Sequence, residues 1–170
     1  MTARSTVGAI RRYATSCGLL LIPAVVWNLL LTDRLPSEFS ASVFWLDIPR
    51  PLSLLENASR ALVFAVPFFM PLDVAAPGQR RRLLIFAAGT LVYFASWLAL
   101  IAAPSSAWSV SAVGFLAPAY TPALWLLGLA LLGRRLFWGD WYRWWMYLPL
   151  AATFLAAHVG HTWLIFGRSR

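Results

Sequence analysis

The chain has 170 residues, of which 61% are hydrophobic and 12% charged, with a mean hydropathy of +0.70. A soluble domain is about half apolar and about a quarter charged, so this composition excludes a water-soluble globule. The net charge of +8 comes from arginine without a single lysine, and these arginines flank apolar blocks, which fits membrane topogenesis and lipid headgroups and argues against nucleic acid.

Apolar blocks at roughly 13–31, 60–76, 83–103, 117–133 and 146–165 each approach the length needed to cross a membrane. A bilayer core about 30 Å thick takes about 20 helical residues. The chain therefore reads as all-α, a polytopic membrane helix bundle of about five transmembrane helices forming one integral-membrane domain over 1–170. Before the first block stand Arg4, Arg11 and Arg12; no cleavage site follows, so the block is expected to stay as an uncleaved span. Within it Cys17 is the sole cysteine, which leaves no intrachain disulfide and no cysteine-based zinc cluster.

The loop 32–59 mixes charge with aromatics: Asp33, Glu38, Asp47 and Glu56 alternate with Arg34, Arg50, Phe39, Phe44 and Trp45. Such a segment is expected to lie along the interface. After Pro49 and Pro51, the run Ser53-Leu54-Leu55-Glu56 has capping-box spacing, which would begin a helix there and pair Glu56 with Arg60 at i,i+4. Asn57 opens a weak glycosylation sequon.

The second block carries Pro67 and Pro71, and the fourth Pro118 and Pro122. Both spans are expected to be kinked, since an internal proline deletes a donor and clashes one turn back. Asp73 is an acid in an apolar run; it either pairs with Arg80, Arg81 or Arg82 beyond the block or serves as an intramembrane functional group. Asn28, Trp27, Ser96 and Trp97 are polar or amphipathic positions that could face the same interior.

The stretch 134–145 sets Arg134, Arg135 and Arg143 among Trp138, Trp141, Tyr142, Trp144 and Trp145. It reads as an inner-leaflet anchor or as a platform for a lipid or partner protein. Arginine-rich gaps are retained on the cytoplasmic side, which puts the N-terminus, 80–82 and 134–143 there and the loop 32–59 outside; only Arg168 and Arg170 are discordant. The lack of lysine suggests a GC-rich genome and hence a bacterial inner membrane.

His158 and His161 share one face of the last block at i,i+3, with Gly160 between them as a point of close helix approach. They are candidates for interhelical packing, for proton or substrate handling, or for a metal ion completed by a carboxylate. The sequence requires no cofactor beyond that possible metal.

Three functions follow. The first is binding within the membrane, to anionic headgroups at Arg80–Arg82 and Arg134–Arg143, or to a partner membrane protein or second copy, with Trp141, Trp144, Trp145, Asp73 and Asn57 as contacts. The second is a membrane-embedded enzyme or metal site built on His158, His161, Glu56 and Arg60, with Asp47 nearby. The third is a solute or proton-coupled transporter that uses the prolines and Asp73.

Overall fold

The computed structural model describes residues 15–169, and the regular structure among them is helical. A 3-10 stretch, Cys17–Leu21, runs into α1, Ile22–Leu31. Helix α2 spans Arg50–Ala65 and tightens into a 3-10 turn at Val66–Phe69. Helices α3, Gln79–Ala102, α4, Pro122–Leu132, and α5, Tyr147–Arg168, complete the bundle. Four stretches are long and apolar enough to cross a membrane: Cys17–Arg34, Arg50–Phe69, Gln79–Ala102 and Trp144–Arg168. Their outer faces agree with this, since Leu29 is 78% exposed and Leu84 and Leu91 are 69% and 66% exposed, an apolar surface that lipid solvates and water does not.

The fourth apolar block departs from the expected span. Its first turn is a separate short helix, Ala117–Tyr120, preceded by another at Ala112–Phe115, before α4. Pro118 and Pro122 each sit in the first turn of a helix, where the missing N–H would be unpaired anyway. Even taken together, Ala117–Leu132 reaches only about 24 Å at 1.5 Å per residue. In the second block Pro67 lies in the terminal 3-10 turn and Pro71 beyond it, bridged to Ser16. The prolines expected to kink the spans therefore end and start helices instead. The expected capping box is also absent: α2 begins at Arg50, so Ser53 is already inside it and donates its backbone N–H to the Pro49 carbonyl.

Two helix pairs carry the packing, α3 on α4 and α2 on α5. At the first crossing the backbones meet through reciprocal glycines. A Cβ on Gly89 would lie 2.5 Å from the Trp125 nitrogen, and one on Gly128 2.5 Å from the Phe86 Cα. Around this crossing Phe86, Tyr93, Trp97, Trp125 and Leu129 join Leu21, Val63 and Met70 in one buried cluster.

Backbone pairing gathers three connections at one end of the bundle. Cys17 N–H donates to the Met70 carbonyl (2.8 Å), Leu72 N–H to Thr15 (2.7 Å) and Phe137 N–H to Phe69 (3.0 Å). The gaps 80–82 and 134–143 lie at that end, whereas Arg4, Arg11 and Arg12 fall outside the described residues. At the opposite end the loop 32–49 folds over the bundle: Phe39 packs on Phe115, and Arg168 donates to the carbonyls of Leu46 and Asp47.

Candidate functional site

Glu56 sits two turns into α2 on the face toward α5, and its side chain is fully buried. A lone carboxylate there would be strongly unfavourable, so its oxygens must be met by donors. Side chains from α2 itself and from α5 supply them. Arg60, one turn on, forms an ion pair with Oε1. Oε1 also lies 2.8 Å from Nδ1 of His158, and Oε2 lies 2.5 Å from Nδ1 of His161. The i,i+3 histidines and the i,i+4 acid and arginine thus meet across the α2–α5 interface.

The proton count of this cluster follows from its last bond. Nε2 of His161 is 2.7 Å from the Phe44 carbonyl oxygen, which can only accept, so Nε2 carries a proton. One more proton then lies between Nδ1 of His161 and Oε2 of Glu56, on whichever atom holds it. The pair is neutral in either form, and Arg60 leaves the cluster with one net positive charge when His158 is neutral. With Glu56 accepting at Oε1, Nδ1 of His158 is a protonated nitrogen, and in the neutral ring Nε2 presents a lone pair.

Aromatic rings fix these side chains. The His158 ring stacks on Phe154 at 5.4 Å and 10°. His161 lies against Phe44 (4.1 Å) and edge-on to Trp45 (4.7 Å). The Arg60 guanidinium sits over Trp45 at 5.7 Å and Phe154 at 5.8 Å, a placement that suits a planar cation. A cavity of about 310 Å³ opens beside this wall, and both His158 and Arg60 line it. His158 keeps 21% of its side chain exposed, whereas His161 is sealed at 0%. A polar pair also lines the cavity, the Tyr93 hydroxyl donating to Asn28 Oδ1 at 2.6 Å. Most of the remaining lining is apolar, including Phe64, Trp97 and Trp125. The indole N–H of Trp125 is buried without an acceptor among the described residues.

Of the expected site residues, Glu56, Arg60, His158 and His161 converge, and the others do not join them. Asp47 is exposed, at φ 50, and gives the assembly its carbonyl, which Arg168 binds. Asn57 is exposed and turns back to the Ser53 carbonyl at 2.9 Å. Asp73 is exposed in the link between α2 and α3, makes no ion pair with Arg80, Arg81 or Arg82, and lines a second pocket with Pro71, far from Pro122, which lines the main cavity. Trp141, Trp144 and Trp145 are exposed at the opposite end of the bundle. Gly160 does not mediate close approach, because a Cβ there meets nothing within 4 Å.

Among the described residues no group of three or more histidine, cysteine, aspartate or glutamate side chains is arranged to hold a metal ion. The Nδ1 atoms of His158 and His161 and the Nε2 of His161 are already taken up in hydrogen bonds. Four contributors escaped sequence reasoning: the Phe44 carbonyl, Trp45, Phe154 and Tyr93. Only Tyr93 left a signal, since a phenol in mid-span needs a buried partner. No protein-family model, curated protein or solved structure matches the chain.

Proposed function

We propose that the protein is a membrane-embedded enzyme that performs acid–base chemistry on an amphiphile, with His158 as the proton-transferring group. The observation that carries this reading is the division of labour at His158, whose Nδ1 is held by a buried carboxylate while the ring borders the cavity. A carboxylate behind an imidazole fixes its tautomer and stabilises the imidazolium formed when Nε2 accepts a proton.

In a hydrolytic cycle, Nε2 of His158 takes a proton from a water molecule as that oxygen attacks a carbonyl or phosphoryl centre. Arg60 faces the oxygen on which negative charge gathers, and His158 then returns the proton to the departing oxygen. The apolar walls suit an alkyl or acyl chain, and the net positive charge suits an electron-rich head. Asn28 and Tyr93 offer further polar contacts to that head. Arginine distribution supports a cytoplasmic N-terminus and the lack of lysine a bacterial inner membrane; that threading would open this chemistry to the outer half of the bilayer.

The test is turnover of a fluorogenic long-chain acyl ester and a fluorogenic alkyl phosphodiester by the protein in liposomes. One of the two is expected to be cleaved, with a loss of about 10²–10⁴-fold in His158→Gln. Failure on both substrates, or full activity in His158→Gln, would overturn the reading.

A second reading keeps the chain as a lipid- or partner-binding protein. Its support is the exposure of Trp138, Trp141 and Trp145 at 62%, 62% and 56% beside Arg134, Arg135 and Arg143. It expects Trp141→Ala with Trp145→Ala to disturb membrane assembly more than His158→Gln does.

A further inference from the structure

A second pocket, of about 390 Å³, lies at the end of the bundle opposite Glu56. The α2–α3 link brings Asp73 to it, the first residue of α3 brings Gln79, and the loop after α4 brings Arg134, Arg135, Asp140 and Arg143. None of these charged side chains forms an ion pair among the described residues, where Glu56 is the acid in every ion pair. Three guanidinium groups and two carboxylates therefore share a pocket without neutralising one another. Arg143 spends one nitrogen on the carbonyls of Asp140 and Tyr142, which pins that side chain to its loop.

Gln79 adds a more specific requirement. It is 3% exposed, and its amide nitrogen donates to the Leu132 carbonyl at 3.1 Å, which settles which end of the amide is oxygen. That oxygen, Oε1, is buried with no partner among the described residues. An orphaned buried acceptor is costly, and a donor that reaches it stabilises the site. A phosphodiester alone answers the arginines but has no proton for Gln79, and any phosphate leaves Asp73 and Asp140 without a cation.

We infer that this pocket binds the headgroup of a phosphatidylethanolamine molecule of the surrounding membrane, with the phosphodiester at the arginines and the ammonium at Gln79 Oε1, Asp73 and Asp140. Exposed Trp138, Trp141 and Trp145 stand on the neighbouring loop, and indole rings favour the headgroup zone. The lipid is thus available at the level of the pocket without leaving the bilayer. An ammonium brings three N–H donors where the pocket has three acceptors. Phosphatidylcholine has the same charges but no N–H, and phosphatidylglycerol has hydroxyl donors but no cation.

Lipid retention by native mass spectrometry of the full chain, after reconstitution with equal amounts of phosphatidylethanolamine, phosphatidylcholine and phosphatidylglycerol, tests the assignment. Phosphatidylethanolamine is expected to be retained at least tenfold over each of the others. Asp140→Asn combined with Asp73→Asn, both on exposed side chains, should bring the ratio to phosphatidylcholine within about threefold of one. Arg134→Gln with Arg135→Gln should reduce retention of all three. Soluble glycerophosphoethanolamine at millimolar concentration should not displace the lipid. Equal retention of phosphatidylethanolamine and phosphatidylcholine, preference for phosphatidylglycerol, or displacement by the soluble headgroup would each overturn the inference.

Discussion

Glu56 is the residue on which the α2–α5 interface turns, because one carboxylate serves Arg60, His158 and His161 at once. Its removal leaves His161, fully buried, with Nδ1 unanswered, and Arg60 without its anion. Breaking a buried charged pair in this way costs about 3–5 kcal/mol. Glu56→Leu should therefore lower stability by that amount, measured by denaturant unfolding in detergent micelles. Glu56→Gln should recover most of the loss, since an amide has one acceptor for His158 and Arg60 and one donor for His161, mimicking the form in which the proton resides on Oε2. Equal destabilisation by Leu and Gln would mean that the hydrogen-bonded hub does not hold the helices together. His158→Gln should be milder than Glu56→Leu, because Arg60 and His161 continue to satisfy the carboxylate.

His161 performs a different task from His158 although the two are a turn apart. It joins Glu56 to the Phe44 carbonyl at the end of the short helix Ala41–Phe44, and so ties the loop 32–49 over the site. In His161→Phe the ring still fills its slot but both bonds go. Amide exchange at Val43, Phe44 and Trp45 should then quicken by about fivefold or more, while His158→Gln leaves it unchanged; equal exchange in the two variants would sink the strap. The loss of one interior hydrogen bond, about 1 kcal/mol net, sets that lower bound.

At the level of elements, helix period alone makes part of the site legible in the sequence. The 3.6-residue repeat places Glu56 with Arg60 and His158 with His161 on shared faces, whatever those faces meet. What packs on what is set by shape, and here the shape is carried by Gly89 and Gly128, which look unremarkable among the apolar residues of their blocks. Proline misled for a related reason: its cost depends on where the helix starts, and Pro118 and Pro122 suggest kinks in a continuous span, whereas the chain restarts a helix at each of them. The Phe44 carbonyl could not be read at all, because a backbone oxygen has no sequence signature. The α3–α4 crossing gives a test of this account. Gly128→Leu should block the approach to Phe86 and cost at least the 1–3 kcal/mol typical of overpacking, lowering the unfolding midpoint. Gly160→Ala, with open space around its added methyl, should leave that midpoint unchanged or raise it; a Gly160→Ala loss as large as that of Gly128→Leu would show that helix propensity, not close approach, governs these glycines.

The whole molecule poses a question of sides. Thr15 is tied to the α2–α3 link, whereas Arg168 reaches the loop 32–49 at the other end, so the two ends of the described chain lie on opposite faces of the bundle. Basic gaps resist translocation, so we propose that the face with Arg80–Arg82 and Arg134–Arg143 is the cytoplasmic one, with Arg168 as the exception to the charge rule. The structure supplies that exception with a role, since its guanidinium bonds the carbonyls of Leu46 and Asp47 and so closes the loop over the site. A structural anchor can sit against the charge rule when three basic clusters outweigh it. The expectation is concrete: in intact cells a membrane-impermeant maleimide should label Ser169→Cys and should label Pro77→Cys only after the membrane is opened. Native Cys17 is fully buried and contributes little background. Labelling of both positions from outside, or of neither, would place the two ends on one side and move the Glu56 site to the opposite leaflet or into an even-numbered threading.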